Sequence, residues 1–372
     1  MKDTILFGDC KETLSAFLPQ SARTCVTSPP YYGLRDYGTA TWIGGDPNCK
    51  HRKVGKQGSN CITGHKNHDD MGSVGDYIFK SVCPLCGAIR QDSQIGLEES
   101  PEEYVESLVS VFREVRNILT DDGTLWVNLG DSYYNYRPGK GQSYPKQSVS
   151  KTKQDLPDEC NKRGNKLDGL KEKDLIGIPW LFAFAMRKDG WYLRQDIIWH
   201  KPNPMPESVK DRCAKAHEYI FLFSKNKKYF YDNEAIKEPA KDWGTRDRTN
   251  GKYHNIGSGL APHSGLSKSY PTKNKRSVWS VTVKPYKEAH FATYPPDLIE
   301  PCIKAGSEEG DTILDPFMGA GTTAAVAKSL NRYYIGCELN EDYGNLIQKR
   351  IQDYQPVKKV AQEPTVNILD LI

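Results

Sequence analysis

Three clusters of residues in this chain are of types that do chemistry. The first is Ser28-Pro29-Pro30-Tyr31, which ends the apolar run TCVTS. Two consecutive prolines cannot continue a strand or sit in a helix interior. The loop is therefore rigid, and it presents a hydroxyl and an aromatic ring that packing alone does not require. The second cluster runs from Asp315 through Phe317, Gly319, Gly321 and Thr322, with Glu338 further on. Glycines at the end of a strand let a ligand approach the backbone. An acidic residue about 20 positions later is placed to accept ribose hydroxyls. The third cluster pairs Cys49 and His51 with Cys83 and Cys86, the latter two in a Cys-x-x-Cys-Gly knuckle of the kind that wraps zinc.

The elements that must position these clusters alternate. TILFGD reads as a strand, CKETLSAFL as a helix and TCVTS as the next strand. SPEEYVESLVSVFREVRNIL is an amphipathic helix with Ser100 as N-cap, Pro101 in its first turn and Glu103 as capping-box partner. DDGTLWVNLGDSY is a turn followed by a strand, and IPWLFAFAMRKDG is a helix ended by Gly190. WYLRQDIIWHKPNP and HEYIFLFSKN are strands, and KKYFYD is expected to pair with the second as a hairpin. The last part returns to alternation: PPDLIEPCIKAG helix, TILDPF strand, TTAAVAKSLN helix, RYYIGCEL strand, EDYGNLIQKRIQDY helix. This order predicts an α/β fold, a mostly parallel sheet with helices on both faces.

The glycine loop lacks the full G-x-G-x-x-G spacing of dinucleotide sites and the Gly-Lys-Ser/Thr of a phosphate loop. A nucleoside cofactor without phosphates fits best, and S-adenosylmethionine is the obvious one. The competing reading is a plain αβ turn with its glutamate on a solvated edge.

Composition narrows the class. The chain has 372 residues, 37% of them apolar, and its mean hydropathy is −0.66, so much of it must be loop or polar surface. The net charge of +4 permits an anionic partner without requiring one, whereas 21 tyrosines suit polar interfaces and base stacking. No run of about 18 apolar residues predicts a membrane span, and MKDTILFGDC is too short and polar for a signal peptide. The ten cysteines are thus expected to be reduced thiols in a cytoplasmic compartment rather than a disulfide framework.

TSPPY and DPFMGAGTT resemble motif IV and motif I of the amino-group DNA methyltransferases, and their order along the chain resembles the β class, with a motif IV of cytosine-N4 type. ILFGD, GTLWVNLGDSY, DIIWHKPNPMPESVKDR, HEYIFLFSK and HFATYPPDLIEPCIKAG are similar to further motifs of that family, in order. The resemblance implies a Rossmann-like S-adenosylmethionine-dependent methyltransferase fold with a seven-stranded sheet. It also implies methyl transfer to an exocyclic amine of a flipped base in double-stranded DNA. Ser28 and the carbonyl of Pro29 or Pro30 would accept from the amine, and Tyr31 would stack on the base. Ser-Pro-Pro-Tyr is commoner among cytosine-N4 enzymes and Asp-Pro-Pro-Tyr among adenine-N6 enzymes. Cytosine N4 is the first expectation, adenine N6 the second, and a noncatalytic nucleic-acid-binding module on the same scaffold the alternative of another class. On the cofactor side the resemblance implies Asp9 near the adenine, Phe291 in the pocket wall and Asp315 at the methionine end. The bland readings are a helix N-cap for Asp9, ordinary packing for Phe291 and a turn cap for Asp315. A cognate restriction nuclease, or a phage or host setting, is the implied context in a bacterial, phage or archaeal cytoplasm, with the chain a monomer or a homodimer.

The expected organisation is a catalytic first part at 1–43 and a Cys/His-rich insert at 44–95. Catalytic residues continue over 96–232, with a polar loop at 136–174. A target-recognition segment spans 233–287, the cofactor-binding part 288–354 and a tail 355–372. The insert lacks a hydrophobic pattern, and a metal can replace a missing core. Cys49, His51, Cys83 and Cys86 are its first candidate zinc ligands, with Cys61, His65 and His68 as competitors. Unrelated reduced thiols and a redox pair are the other readings. Lys, Arg, Trp, Tyr and Asn interleave in 233–287, which suits phosphate and base-edge contacts.

Overall fold

The computed structural model describes residues 2–33, 39–49, 82–83, 85–134, 167, 169–240, 271–284 and 293–355, together with the backbone of two short paired strands, Val54–Gly55 and Tyr77–Ile78. Eight strands form the main sheet: β1 (Thr4–Phe7), β2 (Ala22–Thr27), β3 (Leu119–Leu129), β4 (Tyr192–His200), β5 (His217–Ser224), β6 (Val278–Ser280), β7 (Thr312–Asp315) and β8 (Tyr333–Glu338). Their order across the sheet is β1-β8-β7-β2-β3-β5-β4-β6. All neighbours pair in parallel except β3 with β5 and β5 with β4, so β5 alone runs against the rest.

Helices cover both faces. On one lie α1 (Cys10–Thr13), α2 (Pro101–Ile118) and α3 (Ile178–Lys188), packed through Cys10, Phe112 and Phe182 against Leu125, Val127 and Phe223 of the sheet. On the other lie α4 (Pro296–Gly306), α5 (Thr322–Ser329) and α6 (Tyr343–Asp353), where Ile303, Val326 and Ile347 meet Trp126, Ile220 and Ile313. Strand β3 shows why one strand serves both cores. Successive side chains point to opposite faces, so Leu125 and Val127 enter one core and Trp126 the other.

Local sequence sets most element ends. Ser100 caps α2 by accepting from the Glu103 N–H at 3.2 Å, and Pro101 opens the helix, as expected. The Glu103 carboxylate accepts from the N–H of Glu99 rather than of Ser100, so the reciprocal half of the capping box falls one residue early. The buried positions Tyr104, Leu108, Val111, Phe112, Val115 and Ile118 follow the helical period and face the sheet. Gly190, at φ +99°, ends α3 where a side chain would be strained.

Three expectations change. The sheet has eight strands among the described residues, because Val278–Ser280 adds an edge strand beside β4. The expected turn at Asp121–Gly123 lies inside strand β3, as an irregularity: β2 pairs Ala22 with Leu119 and then Thr24 with Thr124. Finally, Lys227–Asp232 forms no hairpin strand, since both edges of β5 are occupied by β3 and β4. That segment bonds elsewhere, Phe230 N–H to the Asp122 carbonyl at 2.9 Å and Asp232 N–H to the Ala305 carbonyl at 2.8 Å.

Helix α4 reaches the sheet at a glycine. The buried hydroxyls of Thr24 and Thr124 are hydrogen-bonded at 2.8 Å, and a Cβ on Gly306 would lie 2.7 and 2.8 Å from their oxygens. Gly306→Ala is expected to destabilise the fold by about 1–3 kcal/mol through overpacking. The readout is a lower urea midpoint at unchanged slope; an unchanged midpoint would contradict the close approach.

Candidate active site

Strands β7 and β2 are neighbours, but their chain connections leave in opposite directions, β7 toward β8 and β2 toward β3. Loops leaving the carboxyl ends of such a pair diverge and open a crevice. Here that crevice is a cavity of about 1000 Å³ lined by Asp9, the Ser28–Tyr31 loop, Asn128, Glu218, the Pro316–Ala320 loop and Glu338, among others. The sheet thus brings together two of the three clusters, although they lie about 290 residues apart in sequence: the Thr27 hydroxyl donates to Asp315 across 288 positions.

The glycine-loop side is organised by two carboxyls. Asp315 is fully buried. Its Oδ1 accepts from Thr27 Oγ1 at 2.6 Å and from the Phe317 N–H at 3.0 Å. Its Oδ2 accepts from Thr323 Oγ1 at 2.5 Å and from the Tyr294 hydroxyl at 3.2 Å. Burial pushes this carboxyl up to about 6, against the lowering effect of the hydrogen bonds. Asp315 is not among the cleft-lining residues; it holds the loop that lines the cleft. Glu338 does line it. Its Oε2 accepts from the Gly319 N–H at 2.7 Å and its Oε1 from the Asn340 N–H at 2.9 Å. Burial raises this carboxyl to about 7, with the two backbone N–H groups working against the rise.

Gly321 has φ +80°, and a Cβ there would lie 2.8 Å from Ile347 Cγ2, so the entry to α5 requires glycine on two counts. Phe317 and Thr322 both line the cleft. Asp9 Oδ1 accepts from the Lys11 N–H at 2.8 Å, capping α1, and the residue also lines the cavity. Phe291 lies outside the described residues. Three positions on, Tyr294 lines the same wall and bonds both Asp315 and Thr323.

The proline loop is held from three directions. Ser28 Oγ donates to Asn128, 3.3 Å from its carbonyl oxygen and 3.4 Å from Oδ1. The Tyr31 hydroxyl lies 2.7 Å from Glu218 Oε2 and 3.1 Å from Asn128 Oδ1. Glu218 in turn is paired with Lys201, and its Oε2 accepts from Asn128 Nδ2 at 3.3 Å. Burial, with the Glu218 charge next, pushes the Tyr31 phenol well above its usual range, so it stays a neutral donor. Its ring packs where Gly130 has no side chain; a Cβ there would lie 2.5 Å from the ring. From α2 the Tyr104 hydroxyl donates to the Pro30 carbonyl at 2.8 Å.

Asn128, Glu218, Lys201, Tyr104, Gly130 and Tyr294 are contributions that residue spacing did not single out. The available signal was a polar residue at the end of an apolar strand, as in WVNLG and HEYIFLF. Glu218 also needed a topological fact: β5 runs backwards, so its amino end joins the carboxyl ends of its neighbours.

The third cluster stands in the insert, apart from the cleft-lining set. The Cys49, Cys83 and Cys86 sulfurs lie within 4.8 Å of one another. His51, Cys61, His65 and His68 lie outside the described residues, as do 241–270 and 285–287 of the expected recognition segment and most of the loop 136–174. No helix among the described residues is long and apolar enough to cross a membrane.

Comparison with known proteins agrees with this architecture. The family model described as DNA methylase, of N6/N4 type, matches residues 22–349. The chain is 39% identical over 349 residues to the Type II methyltransferase M.XycI of Xanthomonas campestris pv. cyanopsidis, covering 94% of this chain and 87% of that one. It is 38% identical to the Type II methyltransferase M.SmaI of Serratia marcescens, over 93% of this chain and 90% of that one. Among solved structures, the PvuII DNA methyltransferase (cytosine-N4-specific) shares the fold, with a TM-score of 0.54 at 16% identity over 95% of this chain and 88% of that one.

The raised Glu338 carboxyl gives a pH test of the cofactor reading. Ribose hydroxyls donate more strongly to the carboxylate than to the protonated acid, which has one acceptor oxygen fewer, so binding draws Glu338 toward its charged form. Affinity for S-adenosylmethionine is therefore expected to rise as pH increases through about 7 and then level off. Below that value the rise is up to about tenfold per pH unit. Calorimetric titration of the wild type and Glu338→Gln checks it; a flat wild-type profile would remove Glu338 from the cofactor's partners.

Proposed function

The chain belongs to the N6/N4 DNA methylase family, and from that membership we propose that it moves a methyl group from S-adenosylmethionine to the exocyclic amine of a base flipped out of double-stranded DNA, cytosine N4 first and adenine N6 second. The observation that carries this reading is the arrangement of acceptors on the Ser28–Tyr31 loop.

An exocyclic amine is a poor nucleophile because its lone pair is delocalised into the ring. Acceptors aimed at its N–H atoms favour a pyramidal nitrogen and free that pair. Ser28 spends its own proton on Asn128, which leaves its lone pairs for an incoming amine. The Pro30 carbonyl already receives the Tyr104 hydroxyl, so we assign the second acceptor to the Pro29 carbonyl. Tyr31, fixed at its hydroxyl by Glu218 and Asn128, offers a pre-set face for stacking on the flipped base. Prolines and the anchored ring lower the entropy of ordering the loop around the base.

On the other wall, Glu338 and the Gly319 backbone would take the ribose, while Asp9, Phe317 and Thr322 would line the rest of the cofactor's pocket. When bound, S-adenosylmethionine supplies an activated methyl group, so direct transfer needs no enzyme nucleophile. None of the ten cysteines is given that role. A neutral hydroxyl at position 28 supports cytosine without forbidding adenine. DNA is read by the basic and aromatic segment 233–287. The Type II names of the relatives support a site-specific modification enzyme that works beside a restriction nuclease.

Labelled methyl transfer into DNA, followed by digestion and mass spectrometry, tests the reading. N4-methylcytosine is the expected product; N6-methyladenine alone would overturn the choice of base, and no incorporation the activity itself. Ser28→Ala should slow transfer by about 10- to 100-fold, the worth of one acceptor in a dry site.

Gly130→Ala gives a separate prediction. The new methyl group would push the Tyr31 ring from its seat, while the Pro316–Ala320 loop stays in place. Turnover should fall at least about tenfold, as misplacement of a positioning group does, with cofactor affinity unchanged. Normal turnover in a folded variant would show that the ring's position does not matter.

A further inference from the structure

The cysteine cluster of the insert is not used by the cleft chemistry, and its geometry is that of a metal site. Cys49 Sγ and Cys83 Sγ are 3.9 Å apart. That is far too long for a disulfide. It is close to the edge of a tetrahedron of thiolates around zinc, about 3.8 Å for Zn–S bonds of about 2.3 Å. The turns that carry the three sulfurs are shaped to bring them together. Cys83 N–H donates to the Ala88 carbonyl at 2.7 Å, Gly87 N–H donates to the Cys83 carbonyl at 2.9 Å, and Gly87 has φ +73°. In the facing turn, Gly45 has φ +73°, and a Cβ there would lie 2.8 Å from Cys86 Sγ.

The surrounding chain needs such a staple. Thr41–Ile43 pairs with Ile89–Gln91 in a ribbon of only three residues a side. Ile43, Val82, Leu85 and Ile89 are all at least half exposed, so the ribbon has almost no apolar core of its own. An isolated ribbon of this size is marginal in water. Cys49 follows one of its strands, and Cys83 and Cys86 precede the other. A shared metal therefore closes the intervening loop and fixes the strand pair, which supplies folding energy where hydrophobic burial does not.

The ribbon then runs straight into the cleft. Asp92 Oδ1 accepts from the Gln94 N–H at 3.1 Å and from Thr39 Oγ1 at 3.4 Å. Ile95 is buried in the core beneath α2. The Gly96 carbonyl accepts from the Gly33 N–H at 2.8 Å, and a Cβ on Gly96 would lie 3.0 Å from the Tyr31 carbonyl oxygen. Residues 94–96 are thus the rear support of the loop that carries Ser28 and Tyr31.

We propose that Cys49, Cys83 and Cys86 hold a structural zinc ion, and that this ion, through the ribbon, clamps the Ser28–Tyr31 loop in its working position. The metal site stands without the methyl-transfer reading; its link to turnover rests on that reading. Thiolates select zinc or iron–sulfur chemistry over hard cations, and the isolated knuckle in a polar insert favours zinc.

Elemental analysis of protein purified under reducing conditions without added metal is the first test. One zinc per chain is expected. Metal well below one per chain, or iron in its place, overturns the site. Replacement by cobalt(II) should give the intense visible bands of tetrahedral thiolate coordination, and octahedral-type weak bands would contradict it. Cys83→Ser with Cys86→Ser should lose the metal. Because that variant can also fail to fold, wild-type protein is stripped with a chelator and restored with zinc. Stripping should speed amide exchange at Ile95 and Gly96. It should also cut methyl transfer by about 10- to 100-fold, the range seen when supporting contacts are lost, with S-adenosylmethionine affinity retained. Unchanged exchange at Ile95 and Gly96 on metal removal overturns the clamp.

Discussion

A buried carboxylate joins the two loops on which this cleft depends. Asp315 stands at the end of β7, beside the end of β2, and is closed off from water. It accepts from Thr27, just before Ser28; from Thr323, in the first turn of α5; from Tyr294, just before α4; and from the Phe317 N–H of its own loop. A buried carboxylate with four donors is tolerated because each lone pair is used, and leaving any donor unmatched would cost more than one ordinary hydrogen bond. One charged group thereby sets the spacing between the loop expected to carry the base and the loop expected to carry the cofactor.

The second organising feature is the reversal of β5. A strand parallel to its neighbours would present its carboxyl end at the cleft and bury Glu218 at the far edge of the sheet. Running antiparallel, it delivers Glu218 beside Asn128, where the pair fixes both Ser28 and Tyr31. Lys201, at the end of β4, neutralises the carboxylate. Gly130 makes room for the ring and Tyr104 reaches across from α2 to the Pro30 carbonyl. The proline loop is rigid by its own covalent structure; its orientation comes from these four elements.

Particular residues show how far sequence reasoning reached. The cap of α2 at Ser100, the close of α3 at Gly190 and the strand–glycine–helix–strand order around Asp315 were legible because each depends on neighbours within a few positions. The KKYFYD segment misled because it has strand composition, while strand pairing needs a free edge and β5 has none. The edge strand Val278–Ser280 was missed for the converse reason: three residues in a basic, irregular segment carry no period, and only the open side of β4 recruits them. Asp9 and Asp315 looked alike as acids at strand ends. Burial separated them, leaving Asp9 on the cavity wall and Asp315 inside the protein.

The sequence by itself determined the kinds of groups available: a hydroxyl and an aromatic ring on a double-proline loop, glycines before a helix, an acid at the next strand's end, and cysteines at knuckle spacing. Those are local properties, fixed by residue type and by steric limits on a few dihedral angles. Only the tertiary structure decided which groups face one another. It aligned β2 with β7 across nearly 290 residues, turned β5 so that Glu218 meets Tyr31, and brought Cys49 to Cys83 across 34 positions. Such meetings follow from strand order and from the burial of two cores on opposite faces of one sheet, and neither is written in any short window of the chain.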